Sequence, residues 1–252
     1  MPDLDLRSEL LDHAARARVS LSPLAERHGL TLADAYAIQG RVVARRVARG
    51  ARIVGLKMGF TSEAMRRQMN VSEPNIGWLT SDMALASGEL TVGDFIHPRL
   101  EPEVAVVLGR DLETDDPVRV VEAVEAFAPA IEVVDSRFHD YKFQGLDNVA
   151  DNSSSAAFVL GPWRKPAIDV GALMVRLAIG GSLMEAGESS AVMGHPLKAL
   201  GEGARIAAGL GRPLKAGMIV LTGGVTRAYP ITAGQGARAE IAGLGNVVLR
   251  VR

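Results

Sequence analysis

The chain has 252 residues, of which 48% are hydrophobic and 23% are charged, a composition typical of a globular protein with a sizeable core. The formal net charge is −1, which argues against a broad electrostatic surface for nucleic acid. The sequence has no cysteine, which excludes disulfides, thiolate metal sites and a cysteine nucleophile. No apolar run approaches the roughly 20 residues that a membrane-spanning helix needs. We therefore expect a cytoplasmic protein that contacts neither membrane nor nucleic acid.

The first fifty residues predict two helices. Apolar residues recur at helical spacing between residues 6 and 14. Thr31 is placed as the N-cap of a second helix, and Gly50 as its C-terminal stop. The stretch ARIVGLKMGF at residues 51–60 then predicts a short apolar strand bent by glycines.

From about residue 85 onward, short β-like runs alternate with glycine or proline breaks. Helix candidates interrupt these runs at residues 117–128 and 195–211, and His195 before a helix-starting proline is expected to be structural. So few crossover helices argue against a doubly wound parallel sheet. The pattern predicts an α+β fold, with a helical N-terminal region at residues 1–80 and a β-rich core at residues 81–252, which its acids make the candidate metal-binding catalytic core.

The acids of residues 101–151 favour a cation site. This segment holds thirteen acids against four bases. Glu101 and Glu103 would share one face of a strand, about 6.6 Å apart, and could converge on a hard divalent cation. Glu132 is a lone acid inside another apolar run, where burial without a partner is costly. The alternative is a solvent-facing strand edge on which charge discourages aggregation. An all-oxygen site favours Mg²⁺ or Mn²⁺ over zinc.

Several motifs in order carry a family resemblance that covers nearly the whole chain. GLKMGFTSEAM, GWLTSDM, RLEPEVAVVLG, PAIEVVDSRF and VADNSSSAAFVLG resemble the fumarylacetoacetate hydrolase superfamily, and more narrowly its 2-keto-4-pentenoate hydratase and 4-oxalocrotonate decarboxylase branch. The resemblance implies a helical N-terminal part and a rolled mixed β-sheet core. It also implies a divalent ion held by Glu101, Glu103 and Glu132, a 2-oxo acid substrate and a homo-oligomer.

The resemblance favours one lyase reaction over another. Lys-Met-Gly at residues 57–59 and Tyr-Lys-Phe at residues 141–143 look closer to the decarboxylases than to the hydratases. We therefore expect metal-dependent decarboxylation of 2-oxohex-3-enedioate to 2-hydroxypenta-2,4-dienoate in aromatic meta-cleavage catabolism. The alternatives are hydration of 2-hydroxypenta-2,4-dienoate to 4-hydroxy-2-oxopentanoate, and a non-catalytic role as an assembly partner. A complex with a related hydratase is also expected.

Further residues are candidates for the chemistry. Lys57 interrupts an apolar run between glycines, so we expect a buried lysine that binds substrate or relays a proton, rather than a snorkelling surface lysine. The resemblance makes Asp82 a candidate proton relay or base, although an aspartate before an apolar stretch is commonly a cap or turn residue. It also makes Ser154 or Ser155 a candidate substrate contact. The glycines after Thr222 predict a close approach of backbone to the site, which makes Thr222 another candidate.

Two basic residues offer partners for the acids or for a distal substrate carboxylate. These are Arg137 and Lys142, both within the acidic segment. The sequence does not decide which of these two partners each residue has.

Overall fold

The structure is a computed structural model that describes residues 3–24, 29–68 and 71–252, without the side chains of residues 64, 65 and 68. Within these ranges no helix is both long and apolar enough to cross a membrane. The helices and strands in chain order are α1 (Leu4–Ala17), α2 (Leu32–Ala48), β1 (Ile53–Gly59), α3 (Glu63–Gln68), β2 (Asn75–Thr80), β3 (Glu89–Leu90), β4 (Arg99–Leu108), α4 (Pro117–Ala123), β5 (Val124–Val134), α5 (Gly145–Ala150), β6 (Ser155–Leu160), β7 (Met174–Ile179), β8 (Ser182–Glu188), α6 (Pro196–Gly209), β9 (Ile219–Leu221), β10 (Tyr229–Pro230), β11 (Gly236–Ile241) and β12 (Gly245–Val251).

The N-terminal helices form because their ends are capped and one face of each is apolar. Thr31 Oγ1 accepts the Asp34 N–H at 3.1 Å, and the Asp34 carboxylate accepts the Thr31 N–H at 3.0 Å, which closes a capping box. The predicted N-cap is therefore confirmed. Leu11 of α1 and Ile38 of α2 are buried in one cluster with Phe138, so these helices pack on the segment that follows β5.

Helix α4 is shorter than predicted. It begins after Asp116, whose carboxylate accepts the N–H of Val118 at 3.1 Å, but it ends at Ala123. Residues from Val124 onward pair with β4, so cross-strand pairing overrides the local helical pattern. The second predicted helix, α6, is confirmed, and His195 is its N-cap, as expected of a structural residue.

The larger sheet has the strand order β2-β1-β9-β4-β5-β6, with β10 pairing β4. Strands β1 and β9 are parallel and the other pairs are antiparallel, so the sheet is mixed. It is also curled, because Asn152, just before β6, exchanges two hydrogen bonds with the backbone of Trp78 in β2, at 2.7 and 2.9 Å. These residues belong to opposite ends of the strand order. The predicted α+β fold with a rolled mixed sheet is confirmed.

A second sheet has the order β3-β12-β11-β7-β8 and covers part of the first. Leu100 and Ile131 of the larger sheet share a buried cluster with Leu177 and Leu249 of the smaller one. Helix α6 packs elsewhere on the larger sheet, where Gly203 lies against Leu56 and Met58 of β1. Strands β1 and β2 fall within residues 1–80 but pair in the larger sheet, so the sheet extends across the predicted boundary at residue 80.

The strand directions bring several strand ends together at one end of the curled sheet. This end, called the rim below, consists of the residues just after β1, β5 and β9 and just before β2, β4 and β6. It follows from the parallel β1–β9 pair and the antiparallel neighbours. The mouth of such a curled sheet is a common place for a ligand site.

Candidate metal centre and active site

The three predicted glutamates meet near the rim. Glu101 is paired directly with Glu132 across β4 and β5, and Glu103 is paired with Ala130. Alternation along β4 puts Glu101 and Glu103 on one face. One carboxylate oxygen from each of the three lies within 4.8 Å of the others. Like charges placed this closely repel each other, so the cluster needs a compensating cation.

Burial makes that need stronger. The side chains of Glu103 and Glu132 are fully buried, and Glu101 is partly buried. Glu103 Oε2 accepts the N–H of Gly223 at 2.6 Å, and Glu132 Oε2 makes an ion pair with Lys57 Nζ at 3.0 Å. The remaining Oε1 atoms of Glu103 and Glu132 have no hydrogen-bond partner among the described residues. Buried carboxylate oxygens are normally partnered, so these atoms fit the ligands of a bound ion.

The cluster also perturbs the ionisation of its members. Burial raises the pKa of Glu101 to about 7, against the lowering effect of Lys57. Burial and the neighbouring Glu132 raise the pKa of Glu103 well above its ordinary value. Burial opposes the charge of Lys57, but the three carboxylates outweigh it and raise the pKa of the ammonium. One lysine offsets only one of three ionised carboxylates, and a divalent cation would balance the other two.

Lys57 is buried as predicted, with only 4% of its side chain exposed. It lies in the middle of β1, and its Nζ donates to the backbone oxygen of Ser153 at 3.0 Å. Gly59 permits this approach, since a Cβ there would lie 2.3 Å from Ser153 Oγ. Gly77 acts in the same way on β2, where a Cβ would lie 2.3 Å from the Asn152 carbonyl oxygen.

The turn that contacts Lys57 has an unusual backbone. Asn152, Ser153 and Ser154 have φ values of 52°, 54° and 56°, in the left-handed region that residues other than glycine seldom occupy. Such residues cost on the order of 1–3 kcal/mol each and persist where surrounding contacts hold them. The Ser153 Oγ donates to Asn75 Oδ1 at 3.0 Å, which anchors the turn to the start of β2.

Within this turn, Ser153 is the serine that the structure brings to Lys57. The candidate Ser154 instead accepts a hydrogen bond from Asn148 Nδ2 at 3.2 Å. The candidate Ser155 directs its Oγ to Met83 Sδ at 4.0 Å. Both are buried, but among the described residues neither side chain is hydrogen-bonded to Lys57 or to the carboxylates.

The segment after β9 contributes backbone to the cluster. Gly223 has a φ of +113° and gives its N–H to Glu103, and a Cβ at Gly224 would lie 3.0 Å from the Glu101 carboxylate. The prediction of backbone close to the site is confirmed. The hydroxyl of Thr222 donates to the Val104 carbonyl at 2.9 Å, so it holds β9 against β4.

The comparisons with known proteins bear on this geometry. The sequence profile described as "Fumarylacetoacetate (FAA) hydrolase C-terminal" matches residues 46–252. The chain belongs to this family. Its curated relatives include a 4-oxalocrotonate decarboxylase of Pseudomonas sp, 43% identical, with 95% of this chain and 94% of the relative covered. They also include 2-keto-4-pentenoate hydratase 1 of Dechloromonas aromatica (strain RCB), 40% identical, with 94% and 93% covered.

A solved structure of this family agrees closely with the fold. The 4-oxalocrotonate decarboxylase from Pseudomonas putida G7, complexed with magnesium and adipate, has a TM-score of 0.95 and 33% identity, with 99% of this chain and 97% of that chain covered. The predicted resemblance to the hydratase and decarboxylase branch is thus confirmed. Both named activities are lyases, so the predicted enzyme class is confirmed as well, while the two activities are not separated.

The other charged candidates are engaged elsewhere. Asp82 makes an ion pair with Arg46 at 2.8 Å, and 48% of its side chain is exposed. No hydrogen bond or ion pair joins Asp82 to the glutamates in the part of the chain described here. Arg137 is buried and bound to the carboxylate and the backbone oxygen of Asp151. Lys142 is an exposed residue that lies 3.4 Å from Asp140.

Two groups near the glutamate cluster were not identified from the sequence. The carbonyl of Ser153 is a backbone group, which no residue type indicates. Arg99 was also missed, although it precedes Glu101 by two residues and therefore shares its face of β4. A periodicity argument extended by one step towards the start of the strand would have found it.

Proposed function

We propose that this enzyme is a metal-dependent decarboxylase that converts 2-oxohex-3-enedioate to 2-hydroxypenta-2,4-dienoate and CO₂ in aromatic meta-cleavage catabolism. The observation that carries the proposal is the group of three converging glutamates with unpartnered buried oxygens beside one buried lysine. The choice of decarboxylation is supported by 43% identity to a 4-oxalocrotonate decarboxylase. It is also supported by the Lys-Met-Gly and Tyr-Lys-Phe motifs.

The glutamates suit a hard divalent cation, and we propose Mg²⁺, with Mn²⁺ as the alternative. Glu101, Glu103 and Glu132 would hold it, because carboxylate oxygens are the ligands that these ions prefer. The chemistry supplied by a bound divalent cation is Lewis-acid stabilisation of negative charge developing on a 2-oxo acid. The magnesium in a solved family member with 33% identity supports this choice.

Lys57 is proposed to bind substrate and deliver a proton. Its ammonium has three donors, of which two meet Glu132 Oε2 and the Ser153 carbonyl at 3.0 Å. The third lies 3.5 Å from Ser153 Oγ, a long contact that leaves this donor available to a substrate oxygen. The strained turn and Glu132 would thus aim the ammonium into the site.

The proposed reaction needs one proton and no organic cofactor. The C5–C6 bond breaks, CO₂ leaves, and its electron pair forms the C4–C5 double bond. The C3–C4 π electrons move to C2–C3, which leaves negative charge on the 2-oxo oxygen. Lys57 donates a proton to that oxygen and regains one from solvent. Burial of Glu103, Glu132 and Lys57 keeps water from competing for this charge.

The roles of the remaining candidates follow from their contacts. Ser153 is proposed to position Lys57, while Thr222, Ser154 and Ser155 are proposed to shape the substrate cavity. Asp82 stays a sequence-based candidate for a proton relay, and its ion pair with Arg46 favours a structural role instead.

The second candidate function is the 2-hydroxypenta-2,4-dienoate hydratase. It is favoured by 40% identity to a 2-keto-4-pentenoate hydratase over 94% of the chain. Both reactions use a dienolate of a 2-oxo acid, so the same glutamates and lysine would serve either one. A non-catalytic assembly partner is the third possibility, although a scaffold has no need for a buried cluster of four charged groups.

The deciding experiment follows ultraviolet turnover of 2-oxohex-3-enedioate and of 2-hydroxypenta-2,4-dienoate, each with Mg²⁺ and with EDTA. Bicarbonate is assayed in parallel. We expect metal-dependent CO₂ release from the six-carbon diacid. Consumption of the five-carbon dienoate alone would make the enzyme a hydratase, and turnover of neither would favour the assembly role. Glu125→Gln, on the exposed side of β5, is the matched control for substitutions of Glu132.

The cytoplasmic location, the homo-oligomer and the complex with a related hydratase remain predictions. Gel filtration with light scattering would measure the subunit count of the homo-oligomer. Co-purification with a family hydratase would detect the complex with that hydratase.

A further inference from the structure

We propose that Arg99 binds the distal carboxylate of a six-carbon 2-oxo diacid and thereby selects diacids over monoacids. This inference rests on the proposed function, because it assumes that the 2-oxo acid end lies at the three glutamates. Neither Arg137 nor Lys142, the two cations considered from sequence, is placed for this task.

The position of Arg99 on β4 is the first observation. Pairing between β4 and β5 is regular from Arg99 to Val107, with Arg99 opposite Val134 and Glu101 opposite Glu132. Arg99, Glu101 and Glu103 therefore lie on one face in a row that runs from the rim inwards. Successive members are about 6.6 Å apart, a distance comparable to the length of a six-carbon diacid.

Burial along this row indicates the side from which solvent reaches the cluster. Glu103 is fully buried, whereas Glu101 and Arg99 are partly exposed. Solvent thus reaches the cluster from the side of Glu101, nearest the rim. A substrate whose 2-oxo acid end lies at the glutamates would extend its other end past Glu101 towards Arg99.

The guanidinium of Arg99 is both held in place and available. Its Cζ lies 4.1 Å from the centroid of the Tyr141 ring. The Tyr141 hydroxyl is itself fixed, because it donates to the Val134 carbonyl at 2.8 Å and lies 3.2 Å from the His97 carbonyl, the alternative acceptor of its single proton. Stacking leaves the in-plane N–H donors of an arginine free for a carboxylate. No hydrogen bond or ion pair engages the Arg99 side chain within the described residues.

Other cations near the rim are already engaged. Arg137 is buried on Asp151, and Lys142 faces Asp140 on the exposed surface. Arg66, from the helix after β1, gives one nitrogen to the carbonyls of Phe60 at 2.8 Å and Thr61 at 3.0 Å. None of these contacts involves Arg99, whose donors therefore remain available to a carboxylate.

The contact would contribute mainly to binding. A carboxylate on Arg99 is an anion in the bound substrate, but it departs as neutral CO₂ when the C5–C6 bond breaks. The contact is therefore not strengthened in the transition state. Loss of Arg99 should raise KM for the diacid more than it lowers kcat.

The test measures binding of two unreactive ligands by calorimetry with saturating Mg²⁺. The ligands are 2-oxoadipate and 2-oxohexanoate, which differ in whether the distal end is a carboxylate or a methyl group. We expect wild type to bind the diacid at least about 10-fold more tightly, and Arg99→Gln to weaken diacid binding about 10- to 100-fold while the monoacid Kd changes less than about 3-fold. Arg99→Lys should keep part of the preference. Arg176→Gln, an exposed arginine on β7, is the control and should change neither Kd.

The outcomes separate this inference from the proposed function. If Arg99→Gln keeps the diacid preference, or weakens both ligands equally, the inference is overturned while CO₂ release by wild type still supports the decarboxylase. If wild type has no diacid preference, the inference is overturned and the hydratase is favoured. Circular dichroism of each variant identifies a folding defect, and Arg99→Lys then serves as the test.

Discussion

Replacing Glu103 by glutamine should stabilise the protein when divalent cations are withheld. Burial and Glu132 raise the pKa of Glu103 well above its ordinary value of 4.5. The folded chain therefore keeps a proton that the unfolded chain releases, so the free energy of unfolding falls as pH rises from 4.5 towards the folded pKa. Glutamine has the same shape and does not titrate, and its amide can donate to the unpartnered Glu132 Oε1.

The size of the effect follows from this linkage. Each pH unit is worth about 1.4 kcal/mol, so the cost of Glu103 reaches at most about 3 kcal/mol at pH 7 and about half of that at pH 5.5. For a chain of this length each kcal/mol shifts Tm by about 2–4 °C. Glu103→Gln in EDTA at pH 7 should therefore melt up to about 10 °C above wild type. At pH 5.5 the difference should shrink.

Addition of metal should reverse the order of the two melting temperatures, so that wild type melts above Glu103→Gln. A cation that binds only the folded state stabilises it in proportion to its affinity, and Glu103→Gln lacks one of three anionic ligands. Differential scanning calorimetry with EDTA, then with saturating Mg²⁺, measures both arms, and Glu125→Gln is the matched exposed control. A lower Tm for Glu103→Gln than for wild type in EDTA at pH 7, or a difference that does not depend on pH, would refute the reasoning.

Three further substitutions test the surroundings of the cluster. Lys57→Met should abolish turnover and, unlike Glu103→Gln, should lower Tm in EDTA, because it removes the ion pair at 3.0 Å between Lys57 and Glu132. Steady-state kinetics and thermal melting measure the two effects. Unchanged turnover would exclude Lys57 from the reaction. Ser153→Ala should reduce kcat by about 10-fold while Ser154→Ala has a smaller effect, because the Ser153 hydroxyl anchors to Asn75 the turn whose Ser153 carbonyl accepts from Lys57. The reverse order of the two serine variants would restore the sequence-based choice. Gly77→Ala should lower Tm by several degrees, since the added Cβ would lie 2.3 Å from the backbone oxygen of Asn152, which cannot rotate away. A melting curve equal to that of wild type would contradict this contact.

The cluster of three glutamates was predictable from the sequence because each member stands out in its local pattern. Glu101 and Glu103 alternate on an apolar strand, and Glu132 is a lone acid in another apolar run. The family motifs then supplied the pairing that local patterns lack, since only strand register places Glu132 opposite Glu101. The fold class was likewise predictable from helical spacing and the family motifs.

What the sequence could not supply depends on backbone geometry and on competition between partners. The motif ADNSSS predicts a turn, but a left-handed backbone at three successive residues decides that Ser153 is the one that contacts Lys57. The sequence left open whether Arg137 pairs with an acid or meets a substrate carboxylate, and in the structure it pairs with Asp151. In both cases the answer depends on which groups meet after folding.

The position of β9 has a consequence for synthesis on the ribosome. This strand lies between β1, which carries Lys57, and β4, which carries Glu101 and Glu103. Yet β9 comprises Ile219–Leu221, which lies 87 residues after Glu132, the last of the three glutamates. A nascent chain that has not yet released this segment from the exit tunnel cannot bring the lysine beside the carboxylates. The growing polypeptide therefore exposes all three glutamates well before their cluster with Lys57 can form, and the proposed cation capture waits until the last strands have emerged.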